Sequence, residues 1–145
     1  MTQWIETKLR YNKIKENGVV KKVTETYLVE ALSVTEAEAH IIREMQPYIS
    51  GEFTVTAAKK SKIAEVLTAD GEGFWYKLRV MFISFNERTG AAKLTPHDFM
   101  VQARDIEEAI AIFKEDVNLL VDYKLAGITE TPVMDVFPIK KINRL

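Results

Sequence analysis

Residues 27–39 and 99–111 constrain this chain more than any other feature, because the same strand, helix cap and amphipathic helix are written twice. Tyr27-Leu28-Val29-Glu30-Ala31 runs into Ser33 and the helix pattern Val34, Ala37, Ile41, Met45; Phe99-Met100-Val101-Gln102-Ala103 runs into Asp105 and Ile106, Ala109, Phe113, Val117, each inward position 72 residues beyond its counterpart. Apolar residues spaced by three and four form one stripe of a helix that must be buried. Ser33 with Glu36, and Asp105 with Glu108, have capping-box spacing, in which the cap side chain takes the amide three residues on and the Glu reaches back to the amide of the cap residue. Two copies of one such unit restrict the fold to a duplicated architecture.

The flanking segments repeat as well. Ile5, Leu9 and Tyr11 alternate with Glu6, Lys8, Arg10 and Asn12, the period of a half-buried strand, and Trp75 to Phe82 matches Trp4 to Tyr11 at an offset of 71. Asn17-Gly18 predicts a tight hairpin returning as a strand over Val19 to Leu32, and Asn86 to Gly90 predicts a longer one. Phe53 to Val55 and Ile63 to Leu67, matched by Tyr123 to Leu125 and Val133 to Phe137, read as two short strands or one strand bent by a bulge. Asp70-Gly71-Glu72-Gly73 is the flexible joint between copies.

The expectation is therefore an α+β protein of two pseudo-twofold-related ββαβ(β) repeats, at 1–70 and 71–138, with antiparallel sheets each covered by one helix. A basic tail, 139–145, frays, and one compact unit results overall. About seventy residues with a single helix make a marginal core, so a shared interface between copies and a homodimer are expected.

Charge excludes polyelectrolyte functions. The formal net charge is -1, and acids balance bases in both halves. Without cysteine there is no disulfide, thiolate zinc site or thiol nucleophile, and the chain shows no secretory signal layout and no membrane-spanning apolar run, so a cytoplasmic, non-membrane protein is expected.

Trp4, Lys8-Leu9-Arg10-Tyr11, Val23 through Ala39, Gly51 through Thr56 and Met134-Asp135-Val136-Phe137-Pro138 together resemble the domain of unknown function 4494 family, over nearly the whole chain. The resemblance implies an origin in Bacteroides-type gut bacteria, their phages or mobile elements. It implies no activity and no residue role.

The candidates for chemistry are few. Lys13, Lys15, Lys21 and Lys22 gather at the first hairpin, and Lys59, Lys60 and Lys62 in the later strand region; with Trp4, Tyr11 and Tyr27 they offer charge for phosphate and rings for stacking, as a nucleic acid or nucleotide requires. The competing reading is edge protection by lysine. Glu65 and Asp135, acids at the same place in both copies, suit paired carboxylates at the repeat interface, although strand alternation would turn them to water. His40 reads as a packed helix histidine, and His97 with Asp98 as a weak metal pair. Trp4 and Trp75 are expected to anchor a core or interface. No metal site, cofactor or catalytic residue is assigned. A non-catalytic binding or assembly protein with an unknown protein partner is the leading expectation, followed by a nucleic-acid or nucleotide binder and then a cryptic enzyme.

Overall fold

The computed structural model describes residues 2–68, 71–117 and 121–139. β1 (Gln3–Ile14) and β2 (Val20–Ala31) form a long antiparallel hairpin, closed where the Asn17 side chain accepts from the Val19 amide and Gly18 takes a φ of 82°. α1 (Val34–Met45) and β3 (Phe53–Lys60) follow, then β4 (Ile63–Thr68). The second copy repeats the order as β5 (Phe74–Phe85), β6 (Ala92–Ala103), α2 (Ile106–Asp116), β7 (Tyr123–Glu130) and β8 (Val133–Phe137).

The fold is α+β, with two four-stranded sheets ordered β3-β1-β2-β8 and β4-β6-β5-β7, each packed by one helix. Three strands of each sheet are antiparallel; the fourth is parallel and comes from the other copy, β8 lying beside β2 and β4 beside β6. The packing units accordingly exchange one strand each: the first comprises Met1–Ser61 with Pro132–Leu145, the second Lys62–Thr131. Residues 53–67 thus form two strands in two different sheets, rather than one bent strand.

Irregularities repeat with the pattern. Thr56 and Ala126 are bulged on β3 and β7, and Ala64 and Met134 on β4 and β8. Each extra residue reverses which face the following side chains occupy. After the bulge, Glu65 stands opposite Phe99 and Asp135 opposite Tyr27, on the helix-covered face of each sheet.

In the first unit that face buries Ile5, Leu9, Tyr27, Val29 and Ala31 against Ala37, Ile41 and Met45; in the second it buries Tyr76, Leu78, Val80, Phe99 and Val101 against Ala109 and Phe113. The predicted stripes need two corrections. His40 joins the buried face of α1, and Ile106 is 46% exposed although Val34 at the matched first-turn position packs on its core. The caps hold as Ser33 Oγ to Glu36 N at 3.1 Å and Asp105 Oδ1 to Glu108 N at 2.8 Å. The glutamates, however, accept from Leu32 N and Arg104 N, one residue before the cap residue.

Gly73 is tied in place, not a loose joint: at φ 114° it packs on the Ala103 carbonyl, which a Cβ would strike. Asp70 and residues 140–145 of the predicted tail lie outside the described residues.

Candidate functional site

The helix-side faces of the two sheets end differently beyond their cores, at matched positions. In the first unit, Tyr11 on β1 and Glu25 and Tyr27 on β2 form a closed polar cluster: the Tyr11 hydroxyl donates to Glu25 Oε1 at 2.7 Å and the Tyr27 hydroxyl donates to the same oxygen at 3.0 Å. Phe137 stacks on Tyr27 with ring centroids 5.8 Å apart, and Lys13 Nζ lies 3.9 Å from Glu25 Oε2. Burial, followed by the hydrogen bond and the negative charge of Glu25, pushes the Tyr11 hydroxyl up to about 12. Tyr27, more deeply buried beside the same carboxylate, is raised further.

In the second unit the corresponding residues are Phe82, His97 and Phe99, 71 or 72 positions on. None of the three can reproduce the hydroxyl-carboxylate bonds. The rings instead stack in series, His97 lying 5.1 Å from both Phe82 and Phe99 with tilts of 56°. Phe137 is replaced by Leu67 and Lys13 by Ser84. The outcome is an open cleft of about 590 Å³ lined by Phe82, His97, Phe99, Val117 and Val121, with Ser84 and Thr95 at its side and Glu65 and Asp116 as its charged groups. Among the described residues no lysine or arginine lines it. Asp116, at the end of α2, also borders a shallower hollow with Val66, Leu67, Ile112 and Glu115.

Of the residues singled out from sequence, Glu65 belongs to this cleft in the second unit, and the bulge at Ala64 puts it there. Asp135 lies in the first unit, opposite Tyr27, where its Oδ1 accepts from the Val136 amide at 2.8 Å. Each carboxyl therefore stands in its own unit's site. The lysines do not form one patch. Lys13 and Lys21 face each other across the hairpin and Lys15 and Lys22 flank them, whereas Lys59 pairs with Glu6, seven residues back along β1 and roughly 23 Å away at ~3.3 Å per residue. Lys60 pairs with Ile5, and Lys62 follows β3 in the second unit. Tyr11 and Tyr27 are bound to Glu25 and packed, so they present no stacking surface beside these lysines.

His97 and Asp98 occupy opposite faces of β6, opposite Val80 and Arg79 respectively, and so cannot chelate one ion. Among the described residues no group of three His, Asp or Glu is placed to hold a metal. His40 is 9% exposed, with Nδ1 3.3 Å from the Glu30 carbonyl and Nε2 3.3 Å from Glu44 Oε1, as a packed helix histidine should be. Trp75 is buried and Trp4 partly so, both on the sheet faces away from the helices. The aromatic cleft was not found from sequence. Its signal was present in the substitution of Tyr, Glu and Tyr by Phe, His and Phe at matched positions.

The family model described as Domain of unknown function (DUF4494) matches residues 3–139. The chain belongs to the DUF4494 family. No curated protein and no solved structure matches it. For this DUF4494 protein the cleft chemistry must therefore be read from its own residues. Aromatic faces with carboxylates, and with no lysine or arginine among the described lining residues, suit an organic cation, whose charge is attracted to ring faces as well as to acids. No helix among the described residues is long and apolar enough to cross a membrane.

Proposed function

We propose that this protein is a non-catalytic binding protein whose second-unit cleft receives an organic cation, either a free small molecule or a cationic side chain presented by a protein partner. The observation that carries the reading is the asymmetry of matched positions: one site is closed by Tyr11, Glu25 and Tyr27, while its counterpart at Phe82, His97 and Phe99 is open and aromatic, with the carboxylates Glu65 and Asp116 in its lining and no lysine or arginine among the described lining residues. A scaffold duplicated in fold but not in this site concentrates its difference where binding occurs. The phage or mobile-element setting implied by the family resemblance accords with a small adaptor of this kind and forms part of the proposal. A nucleic-acid reading of the hairpin lysines has less support, because it would rest on phosphate contacts without stacking rings.

The experiment is titration with benzyltrimethylammonium, followed by amide and aromatic NMR shifts. Binding should move the Phe82, His97 and Phe99 resonances and be weakened at least tenfold by Glu65→Gln/Asp116→Asn. Shifts confined to other residues, or none at millimolar probe, would reject the reading.

A further inference from the structure

The first hairpin leaves an apolar tip in water. Ile14 and Val20 face each other at the end of the β1–β2 ladder, 67% and 58% exposed, and Val19 beside them is 54% exposed. Isolated exposed aliphatics are ordinary, but three together at the point of a hairpin of two twelve-residue strands form a projecting apolar knob. Lys13, Lys15, Lys21 and Lys22 surround it, with Glu16 the one acid in the turn. Lys13, which lies 3.9 Å from Glu25 Oε2, is directly opposed to Lys21 across the strands, a like-charge arrangement. An acidic partner surface would relieve that repulsion.

The same chain carries the complementary surface. In the second unit the cleft combines Phe82, His97, Phe99 and Val117 with Glu65 and Asp116, and the adjoining hollow adds Ile112 and Glu115, three carboxyl groups beside an apolar depression with no lysine or arginine among the described lining residues. Its volume of about 590 Å³ equals roughly twenty waters at ~30 Å³ each, room for several aliphatic side chains. The second unit's own hairpin has no such set of lysines, since Ser84, Asn86 and Leu94 stand at the positions of Lys13, Lys15 and Lys22, and Lys93 alone matches Lys21.

We infer that the partner of the cleft is a second copy of this chain, whose first-hairpin tip enters it with Ile14, Val19 and Val20 against the apolar floor and Lys13 and Lys21 toward Glu65 and Asp116. This rests on the cation-binding reading above and gives that site its occupant. The contact uses two different patches, so it is heterologous: repeated head to tail it builds a ring or filament, and exchanged reciprocally it closes a dimer. Direct edge-to-edge strand pairing is a poor alternative, because β3 and β7 are bulged and β4 and β8 are short.

Sedimentation velocity over about 5 to 300 µM tests this with two variants, Lys21→Glu/Lys22→Glu on the tip and Glu65→Gln/Asp116→Asn in the cleft. Wild type should self-associate at low salt and dissociate as added salt screens the pairs. Each variant alone should weaken association at least tenfold while remaining folded, the tip variant melting no lower than wild type because the carboxylate introduced at position 21 would face Lys13. Mixed in equal amounts, they should form a complex limited to one copy of each, because only one intact tip and one intact cleft remain. A monomeric wild type throughout, or association unaffected by either variant, overturns the inference. Benzyltrimethylammonium shifts then decide separately whether the cleft binds cations, so failure of self-association and failure of the cation reading are distinguishable.

Discussion

Glu25 in the first unit and His97 in the second occupy the same place on equivalent strands, yet Glu25 accepts two tyrosine hydroxyls while His97 lies between two phenylalanine rings. One exchange of partner chemistry turns a closed cluster into a cleft. The consequences are measurable in each unit separately.

Alkaline stability should report the closed cluster. Tyr11 and Tyr27 lose their protons at higher pH when folded than the ordinary tyrosine value of 10, Tyr11 at about 12. Between these values the unfolded chain releases protons that the folded chain keeps. The stabilisation is therefore full below about pH 10 and is lost as pH rises toward 12. Denaturant unfolding at pH 8 and pH 11 should show this loss, and Tyr11→Phe should reduce its size. Glu25→Gln should bring phenolate absorbance in at lower pH, by a partial step, since burial is the larger cause for both rings and remains. Unchanged phenolate titration in Glu25→Gln would contradict the cluster.

Gly73 should tolerate no side chain. Its φ of 114° disfavours any L residue, and a Cβ would meet the Ala103 carbonyl, a backbone atom that cannot step aside without disturbing β6. Gly73→Ala should cost about 2 to 4 kcal/mol, as strain and collision add. Gly71→Ala, with φ 78° and open space around it, should cost only about 1 kcal/mol. Equal effects in urea unfolding would refute the close approach.

Asp98 should be replaceable with gain. It is 5% exposed on the sheet face away from α2, and its Oδ1 has no hydrogen-bond partner among the described residues. A buried carboxyl oxygen without a partner costs about 1 to 3 kcal/mol. The first copy places Thr26 at the matched position, also buried, which is shorter and uncharged. Asp98→Thr should raise the melting temperature by roughly 2 to 4 °C per kcal/mol recovered, read by calorimetry. A lowered melting temperature would mean that Asp98 serves a bond the chain needs.

Most of the local structure was legible because it rests on short-range rules: alternation in β1, the Asn17-Gly18 turn, and the cap residues Ser33 and Asp105 all act within a few residues. The strand exchange was not, because Ile63 to Thr68 and Val133 to Phe137 have the same pattern whichever sheet they join. The bulges at Ala64 and Met134 hid the site for a related reason. One inserted residue flips the strand, so Glu65, which alternation directs outward, stands on the face of Phe99. The lysine group of the first hairpin and the group at Lys59 to Lys62 lie apart because β3 pairs with the start of β1, away from the hairpin tip.

Transplanting the first unit's chemistry into the second provides the sharpest test of the asymmetry. Phe82→Tyr, His97→Glu and Phe99→Tyr together restore the three side chains of the closed cluster on strands of the same register, since Phe82 and Phe99 hold the positions of Tyr11 and Tyr27. Two charge-assisted hydrogen bonds, each about 1.5 to 3 kcal/mol, then compete with the open ring arrangement. The triple variant should fold, gain alkaline sensitivity through two further tyrosines of raised titration, and lose the benzyltrimethylammonium shifts. His97→Glu alone, lacking the hydroxyl donors, should destabilise by about 1 to 3 kcal/mol, because it sets a carboxylate between two phenylalanines without partners. If the triple variant binds the probe as wild type does, the cleft does not depend on the difference between Glu25 and His97, and the proposed site is wrong.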